Sequence, residues 1–501
     1  SVGSLLANSS LLPFVSPQLE TRMNEVSSPA SVGLKASRRR PISYPMYVFF
    51  VLFLISALNS LDRYVFTGAA NVMGRELHLG IQDIGYLSSA FIIFFTLSVI
   101  PFGIWADRAK RKNVIALAVA VWSLATAFTA FASNFITLFL SRMVLGVGEA
   151  GYSPSSAALI SDYFGRARRA RVMSWWATAG LIGLMVGTII GGVVADLHYG
   201  AWRLAFLFTG IPGLLLAFIA WRLREPRRNQ ADEEVQSEYR AGAVEGGESG
   251  PEGAASVIPK RVFAQLRMLL RIRTMLVLIA IQVFSLFVIS GTVTYLSIFL
   301  QQKDTLGMSS KEAGLYTGIG IVLAGAIGVI AGGYLADWLS RRFAGARVLV
   351  CGLSFLLSAP SYLISVLIAI NLHNLGLYTI FFASTTILLN INSGPAGAAT
   401  QDVVPSALRA SAVAISLFVG HILGDSFAPS LLGTLARSFD PGGQHFAQNM
   451  AGHDLALALL YIYPISLAIA GLIGILGTRW MKSDIAAAQR VDREAGANLP
   501  S

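Results

Sequence analysis

The chain has 501 residues, of which 54% are hydrophobic and only 13% are charged. Soluble proteins carry about 25% charged residues, so this composition excludes an ordinary soluble domain and indicates a protein that folds within a lipid bilayer. The net charge of +11 is spread over short polar stretches between apolar ones, which does not favour a nucleic-acid-binding protein. The single cysteine, Cys351, excludes a disulfide within the chain and a cysteine-based metal cluster.

Twelve apolar stretches are each long enough to cross a membrane as a helix. In the first half of the chain they cover residues 45–67, 84–105, 113–132, 135–158, 172–196 and 202–222. In the second half they cover residues 274–300, 312–336, 346–370, 374–399, 409–434 and 455–480. The sequence therefore predicts an all-α integral membrane protein with 12 transmembrane helices in two six-helix halves.

The polar segments complete the predicted domain organisation. Its five parts are a cytoplasmic N-terminal tail (1–44), an N-terminal half (45–222), a cytoplasmic linker (223–273), a C-terminal half (274–480) and a cytoplasmic C-terminal tail (481–501). Within the linker, residues 260–271 alternate basic and apolar positions at helical spacing, which predicts an amphipathic helix on the membrane surface. Lys and Arg concentrate in alternate loops, and the positive-inside rule then predicts that both termini lie in the cytoplasm. We expect a multi-pass protein of the plasma (inner) membrane.

The two halves repeat a short motif. A Gly, an Asp and an Arg recur at the same spacing: Gly103, Asp107 and Arg111 after the second stretch, and Gly333, Asp337 and Arg341 after the eighth. Further positions match in the same order, among them Asp162 and Asp402. Six spans, a linker and six spans with internal symmetry are the layout of a secondary transporter.

This repeated motif resembles the signature between the second and third helices of the major facilitator superfamily. A carboxylate at a helix end can accept bonds from the exposed N–H groups of a neighbouring helix, while nearby arginines bind a second carboxylate. Such a cluster can latch one conformation of the two halves. The expected gating latch comprises seven residues: Gly103, Asp107, Arg108, Arg111, Asp162, Asp337 and Arg341.

Polar residues also interrupt the first apolar stretch. Asn59, Asp62 and Arg63 fall within about one helical turn, which predicts that they share roughly one face. A charge at mid-membrane costs about 2.5–3.5 kcal/mol on insertion scales, so such side chains face a protein interior or a watery cavity. A self-neutralising pair near the membrane surface is the alternative interpretation.

Two later stretches carry polar residues at helical spacing as well. Arg142 and Glu149 lie on one stripe of the fourth stretch, and His421 and Asp425, at i and i+4 on the eleventh, are close enough to touch. A core histidine that is satisfied by its aspartate is the alternative for His421. The charges of the first and fourth stretches have no charged counterparts in the second half, which favours a functional role over a folding role.

Around these residues the sequence resembles the spinster family of that superfamily. The resemblance rests on residues 59–63, 142–154 and 421–429, and Ala428 departs from it because a serine is expected there. It implies proton-linked movement of amphipathic molecules such as lysophospholipids or sphingosine-like lipids. The residues expected to bind the substrate and couple it to protons are Asn59, Asp62, Arg63, Arg142, Glu149, His421 and Asp425.

Two other stretches contain helix-perturbing residues. Gly183, Gly187 and Gly191 in the fifth stretch have the spacing of close helix packing and approach a glycine-rich signature of exchangers. Residues 390–395 in the tenth, with two asparagines, a glycine and a proline, predict a locally broken helix that faces a cavity.

The sequence thus predicts a secondary transporter with a proton as coupling ion, sodium being the alternative ion, and with no cofactor or metal. The expected partners are a small amphipathic substrate and the lipid bilayer, with no nucleic acid, and the protein is expected to be a monomer. A carrier of organic anions or drugs is the alternative, because Arg63 and Arg142 suit a carboxylate or phosphate equally well. A membrane-embedded hydrolase is more remote, since the sequence shows no paired metal-ligand cluster or strained nucleophile turn. No catalytic residue is predicted.

Overall fold

The computed structural model describes residues 44–227, 230 and 267–497. Twelve helices of this part are long and apolar enough to cross a membrane. In the first half they are α1 (Tyr44–Glu76), α2 (Ile81–Arg108), α3 (Arg111–Thr129), α4 (Phe135–Tyr163), α5 (Arg166–Ala195) and α6 (Trp202–Arg222). In the second half they are α7 (Arg273–Gln301), α8 (Ser310–Ser340), α9 (Ala346–Asn371), α10 (Leu375–Val403), α11 (Ser411–Phe439) and α12 (Gly452–Ala497).

These helices confirm the predicted all-α membrane fold. The predicted N-terminal tail up to residue 43, and the linker residues 228–229 and 231–266 with most of the predicted amphipathic helix, lie outside the described residues. The largest difference in bounds is at α12, which continues as a helix well beyond the predicted end at residue 480. Hydrophobicity marks only the part of a helix that meets lipid, whereas polar contacts extend this one. Asp484 accepts a hydrogen bond from the Thr274 N–H at 2.9 Å, at the start of α7.

Three of the twelve helices are interrupted near mid-length. α4 is divided at Gly151, and α10 is divided at Asn392, which confirms the break predicted between residues 390 and 395. In α11 the segment His421–Asp425 is wound as a π-helix, and the Ser426 N–H bonds to the His421 carbonyl at 2.9 Å. Single π turns within α-helices occur frequently at functional sites.

Close packing joins the two halves at one end of the molecule. α5 and α8 approach so closely that a Cβ on Gly192 would lie 2.4 Å from the Ser310 carbonyl oxygen, so only a glycine fits there. α2 packs against the end of α11, where the Tyr295 hydroxyl donates to the Pro429 carbonyl at 2.9 Å and reaches the Ile81 carbonyl at 3.3 Å. We call this the distal end, because it carries loops 77–80 and 302–309.

Hydrogen bonds between the halves are confined to the same end. Asn71 donates to Gln301 Oε1 at 3.1 Å, and the Ser430 N–H donates to Ser89 Oγ at 3.2 Å. At the other end, which we call the basic end because it carries the Arg- and Lys-containing loops 109–110 and 341–345, no hydrogen bond or ion pair between described residues joins the halves. The structure is therefore closed at the distal end and open toward the basic end.

This arrangement predicts the sidedness of the loops. With the buried Cys351 replaced by Ala, cysteines introduced at Ser133 and at Asn374 should react with a membrane-impermeant maleimide from the same side of a sealed membrane. A cysteine introduced at Asn113, near the start of α3, should react only from the opposite side. Labelling of Asn113→Cys and Ser133→Cys from one side would contradict the order of the helices.

Candidate functional site

A cavity of about 200 Å³ lies between the two halves, at the level of the middle of α1. Its wall is formed by α1, α2 and α4 of the first half and by α7 and α11 of the second. Four of the predicted site residues line it: Arg63, Arg142, His421 and Asp425. The structure therefore brings together predicted residues from both halves in one chamber.

Arg63 forms the central ion pair of this chamber. Its Nη2 lies 2.9 Å from Glu149 Oε2. The Glu149 side chain is completely buried, whereas the Arg63 side chain is 29% exposed toward the cavity. The other carboxylate oxygen, Glu149 Oε1, is buried without a hydrogen-bond partner. The carboxylate is thus held on one side only, by a guanidinium that also contacts the cavity.

Aromatic rings support the guanidinium of Arg63. Its Cζ lies 4.7 Å from the centre of the Phe91 ring and 5.0 Å from that of Phe95. Contacts of this kind between a cation and an aromatic face are worth about 0.5–2 kcal/mol, the upper part of this range applying where water is excluded. The rings therefore hold the cation beside the cavity without neutralising its charge.

Arg142 is buried without a carboxylate partner. It is only 3% exposed, and its Cζ lies 4.2 Å from the centre of the Phe66 ring. Its Nε has no hydrogen-bond partner, and no ion pair with a described residue involves it. Because a guanidinium remains charged in proteins, Arg142 presents a positive charge at the wall of the cavity, with Glu149 and Asp62 close enough to interact with it electrostatically.

Asp62 points away from the cavity, so the prediction that it shares a face with Arg63 is wrong. Successive residues of a helix point about 100° apart. Arg63 therefore faces the chamber, while Asp62 faces the interior of the first half near Thr126 and Thr209. It is fully buried, and neither of its oxygens has a hydrogen-bond partner. Asn59, one turn before Arg63, adjoins Glu149, although its Nδ2 has no hydrogen-bond partner.

His421 and Asp425 form the opposite wall. His421 Nδ1 lies 2.8 Å from Asp425 Oδ2, which confirms the predicted contact. Both side chains also line the cavity, so the histidine is satisfied by the aspartate and is placed to meet a ligand. The His421 ring meets Phe95 edge to face, with ring centres 6.5 Å apart.

Sequence reasoning missed the aromatic residues of the site. Tyr64, Phe91 and Phe95 stand in apolar stretches, where an aromatic side chain that faces a cavity has the same pattern as one that faces lipid. Tyr64 follows the charged pair Asp62-Arg63 directly, and this adjacency was the one available signal.

A second, apolar cleft adjoins the chamber. It has a volume of about 360 Å³ and lies between α5, α7, α8 and α10. Tyr64, Ile289 and Val293 line both spaces. The rest of its wall is mostly apolar, as at Leu184 and Ala326, with Asn390 and two threonines as its polar residues. A polar chamber that adjoins an apolar cleft can bind an amphipathic ligand.

The predicted latch forms ion pairs within each half. Arg111 pairs with Asp162 in the first half. In the second half Arg347 pairs with Asp402, and its Nη2 lies 3.8 Å from Asp337 Oδ1. The pairing role that the repeat assigned to Arg341 therefore falls to Arg347.

Loop length explains this shift from Arg341 to Arg347. Arg111 is the first residue of α3, and Arg347 is the second residue of α9. The connection between α8 and α9 (341–345) is longer than that between α2 and α3 (109–110), so an alignment without a gap selects Arg341.

The remaining latch residues have no partner across the halves in this conformation. Asp107 and Arg108 are exposed, and neither forms an ion pair with a described residue. A Cβ added to Gly103 would have nothing within 4 Å. Since the halves are apart at the basic end, a latch contact between them can form only in the alternative conformation.

Two six-helix halves around a cavity that is closed at one end and open at the other define a membrane transporter of the alternating-access type. The chain belongs to the Major Facilitator Superfamily, whose family model matches residues 52–429. The predicted resemblance to the spinster family is confirmed. The chain is 25% identical to Protein spinster of Drosophila melanogaster over 393 residues, which are 77% of this chain and 61% of that protein.

The chain is also similar to a bacterial transporter in sequence and to a solved bacterial structure in fold. A probable L-galactonate transporter of Escherichia coli K12 is 28% identical over 404 residues, covering 76% of this chain and 81% of the transporter. The crystal structure of a bacterial homolog of the human lysosomal transporter spinster, inward-facing and unoccupied, superposes with a TM-score of 0.75 at 24% identity. It covers 88% of this chain and 98% of the other, and it supports the fold.

Exposure of Asp107 leads to a prediction about the conformational equilibrium. Asp107→Asn should leave the form that is open at the basic end unchanged, because the carboxylate has no ion-pair partner there. It should destabilise the form that is closed at the basic end, by about 1–3 kcal/mol if a charged hydrogen bond is lost. Distance distributions between spin labels on the two halves measure both populations. Glu494→Gln, on the exposed end of α12, is a matched control. An unchanged distribution for Asp107→Asn would exclude it from the latch.

Proposed function

We propose that this protein is a proton-coupled secondary transporter of amphipathic molecules with an anionic head group and one apolar chain. Lysophospholipids and sphingosine-1-phosphate-like lipids have this chemistry. The transporter acts in the plasma (inner) membrane, with the basic end and both termini in the cytoplasm, so that the present conformation is open to the inside. The concentration of Lys and Arg in the loops of the basic end supports this orientation.

The observation that carries the proposal is the 2.9 Å contact between Arg63 and Glu149 at the cavity wall. While Glu149 is ionised, it holds the guanidinium. When Glu149 takes a proton, the attraction is lost and Arg63 becomes available to an anionic group in the cavity. Protonation and substrate binding are then coupled through one arginine, and each shifts the balance between the two forms of the transporter.

Arg142 supplies a second attachment point for the anion. It forms no ion pair with a described residue, and it lines the same chamber as Arg63. A planar guanidinium binds carboxylate and phosphate oxygens through two parallel hydrogen bonds. Two arginines on neighbouring helices therefore favour a phosphate or carboxylate head group over a neutral one.

The apolar cleft supports a substrate with a hydrocarbon chain. It adjoins the chamber at Tyr64, Ile289 and Val293, so a ligand with its head group at Arg63 would place its chain between α5 and α8. Burial of each CH₂ group contributes about 0.8 kcal/mol. A chain of several carbons in this cleft would therefore contribute more affinity than the head group alone.

Glu149 is favoured over Asp62 as the proton-carrying group. Both carboxyl groups are buried, but Glu149 contacts a residue of the cavity wall and Asp62 does not. A buried carboxyl group without a partner is stable as the neutral acid. In this conformation Asp62 is fully buried and does not line the cavity, which favours a packing role within the first half.

A carrier of small organic anions is the second candidate. The similarity to the probable L-galactonate transporter favours it, and Arg63 with Arg142 would bind a small carboxylate without help from the apolar cleft. The two candidates differ in their dependence on that cleft.

The role of Glu149 is tested by transport in proteoliposomes. Glu149→Gln imitates the protonated acid, so it should bind substrate and lose the pH dependence of transport. Glu149→Asp, which still titrates, should keep it. Arg63→Ala should lower transport about tenfold or more at every pH, since a charge-assisted hydrogen bond contributes about 1.5–3 kcal/mol. Wild-type pH dependence in Glu149→Gln would move the proton site to another residue.

The apolar cleft is tested by filling it. Ala326→Phe places a ring among the cleft residues, and it should lower transport of a lysophospholipid while leaving a small organic anion unaffected. Ile327→Phe, on the exposed face of the same helix, is the matched control. Equal transport of both substrate classes by Ala326→Phe and wild type would show that the cleft holds no chain. Transport of the small anion alone by the wild-type protein would establish the second candidate.

A further inference from the structure

A short segment between α11 and α12 lies across the distal end of the molecule. We call residues 440–451 the cap. It contains the helix Gln444–Ala447 and belongs to the second half of the chain. The cap residue Phe446 is only 2% exposed, because its ring packs against α1: a Cβ on Gly74 would lie 3.1 Å from Phe446 Cε1.

A polar contact beside this ring also joins the cap to the first half. Asn71 Nδ2 of α1 donates to Asn449 Oδ1 at 3.0 Å. Asn449 in turn donates from Nδ2 to the Gln301 carbonyl at 2.8 Å. It has a left-handed backbone conformation, with φ of 61°. Phe446 and Asn449 must therefore leave α1 before the two halves can separate at the distal end.

A histidine connects the cap to α12. His445 Nδ1 lies 2.8 Å from Asp454 Oδ2 and 4.0 Å from Asp440 Oδ2. His445 is half exposed at the surface, whereas the Asp454 side chain is 8% exposed. Within residues 440–451, all of which are described, Asp440 and His445 are the titratable side chains. His445 alone among them has an ordinary pKa near neutrality.

The charges that face His445 are predominantly negative. The carboxylates are Asp440 at the start of the cap, Asp454 on α12 and Asp304 in the loop between α7 and α8. The nearby cations are Arg437, whose Nη1 donates to the backbone carbonyl of Asp440 at 2.9 Å, and Lys303, whose backbone N–H donates to the Asn449 carbonyl at 2.9 Å. The hydrogen bond to Asp454, with the negative charge of all three carboxylates, raises the pKa of His445 above its ordinary value of 6.5.

We propose that the cap is a pH-sensitive gate, in which a proton taken up by His445 from the distal side holds the cap closed over the distal end. The protonated imidazole binds Asp454 and Asp440 and thereby fixes the segment that carries Phe446 and Asn449. Loss of the proton leaves a neutral ring among carboxylates and loosens this segment. The gate is separate from the Arg63–Glu149 pair, and its operation does not require the proposed substrate.

The sign of the pH dependence follows from the raised pKa. The contribution of protonated His445 to closure is fully present below the ordinary value of about 6.5 and is lost as the pH rises through the raised pKa. The ratio of distally open to closed molecules therefore increases with the pH of the distal side. The total increase is about tenfold for each unit by which closure raises the pKa of His445.

The experiment follows the distance between fluorophores on Ser133→Cys and Asn374→Cys, two distal loops of opposite halves, with Cys351 replaced. Vesicles keep the pH on the basic side constant while the pH on the distal side is varied between about 5.5 and 8.5, a range that brackets the ordinary histidine pKa. Wild type should shift toward the distally open form as the pH rises. At every distal pH, His445→Gln should show the open fraction that the wild-type protein shows only at high pH. Asp454→Asn, which keeps the histidine and removes its partner, should weaken the shift.

Two further variants separate the gate from its alternatives. His453→Gln, an exposed histidine eight residues along the chain from His445, is the matched control and should keep the wild-type shift. Phe446→Ala should raise the open fraction at every pH and keep its dependence on pH. An unchanged pH dependence in His445→Gln, or an equal loss of it in His453→Gln, would overturn the proposal.

Discussion

A buried charge within a membrane requires a counter-charge or water, and the arrangement of the cavity depends on how this requirement is met for Arg63. Glu149 neutralises the guanidinium from α4, and the rings of Phe91 and Phe95 hold it from α2. The pair has one partner exposed to the cavity and one fully buried, so a ligand can compete for the arginine while the carboxyl group remains enclosed. If both side chains were buried, no ligand in the cavity could reach the arginine. If both were exposed, the ion pair would contribute little free energy.

The contacts between the two halves determine from which end the cavity can be reached. On the distal side of the chamber the halves are held together by glycine contacts between α5 and α8, by the hydroxyl of Tyr295 and by the amide of Asn71. On the basic side the halves separate, and Asp107 is exposed. In this conformation the contacts between the halves lie at the distal end, and no hydrogen bond or ion pair between described residues joins them at the basic end. Alternating access requires that the halves separate at one end while they are joined at the other.

Much of the fold could be predicted from the sequence, because hydrophobic length and helical spacing are local properties. The twelve spans, the contact of His421 with Asp425 and the break in α10 all followed from such patterns. The direction of the Asp62 side chain could not be predicted in this way. Neighbouring side chains on a helix point about 100° apart, which is enough for Arg63 to face the cavity while Asp62 faces other helices. The pairing of Arg347 depends on loop length, and the aromatic wall at Phe91 has the same sequence pattern as a lipid-facing surface.

The proposed coupling requires that Arg63 binds either ionised Glu149 or the anionic substrate. The number of protons taken up when substrate binds tests this requirement most directly. Calorimetric titration of the purified protein with a lysophosphatidic acid, in buffers of different ionisation enthalpy, counts the protons that are bound or released. If Glu149 must be protonated to release Arg63, the wild-type protein will take up protons as the ligand binds, and Glu149→Gln will bind the same ligand without taking up protons. Binding to both proteins with the same proton uptake would contradict the coupling of substrate and proton through Arg63.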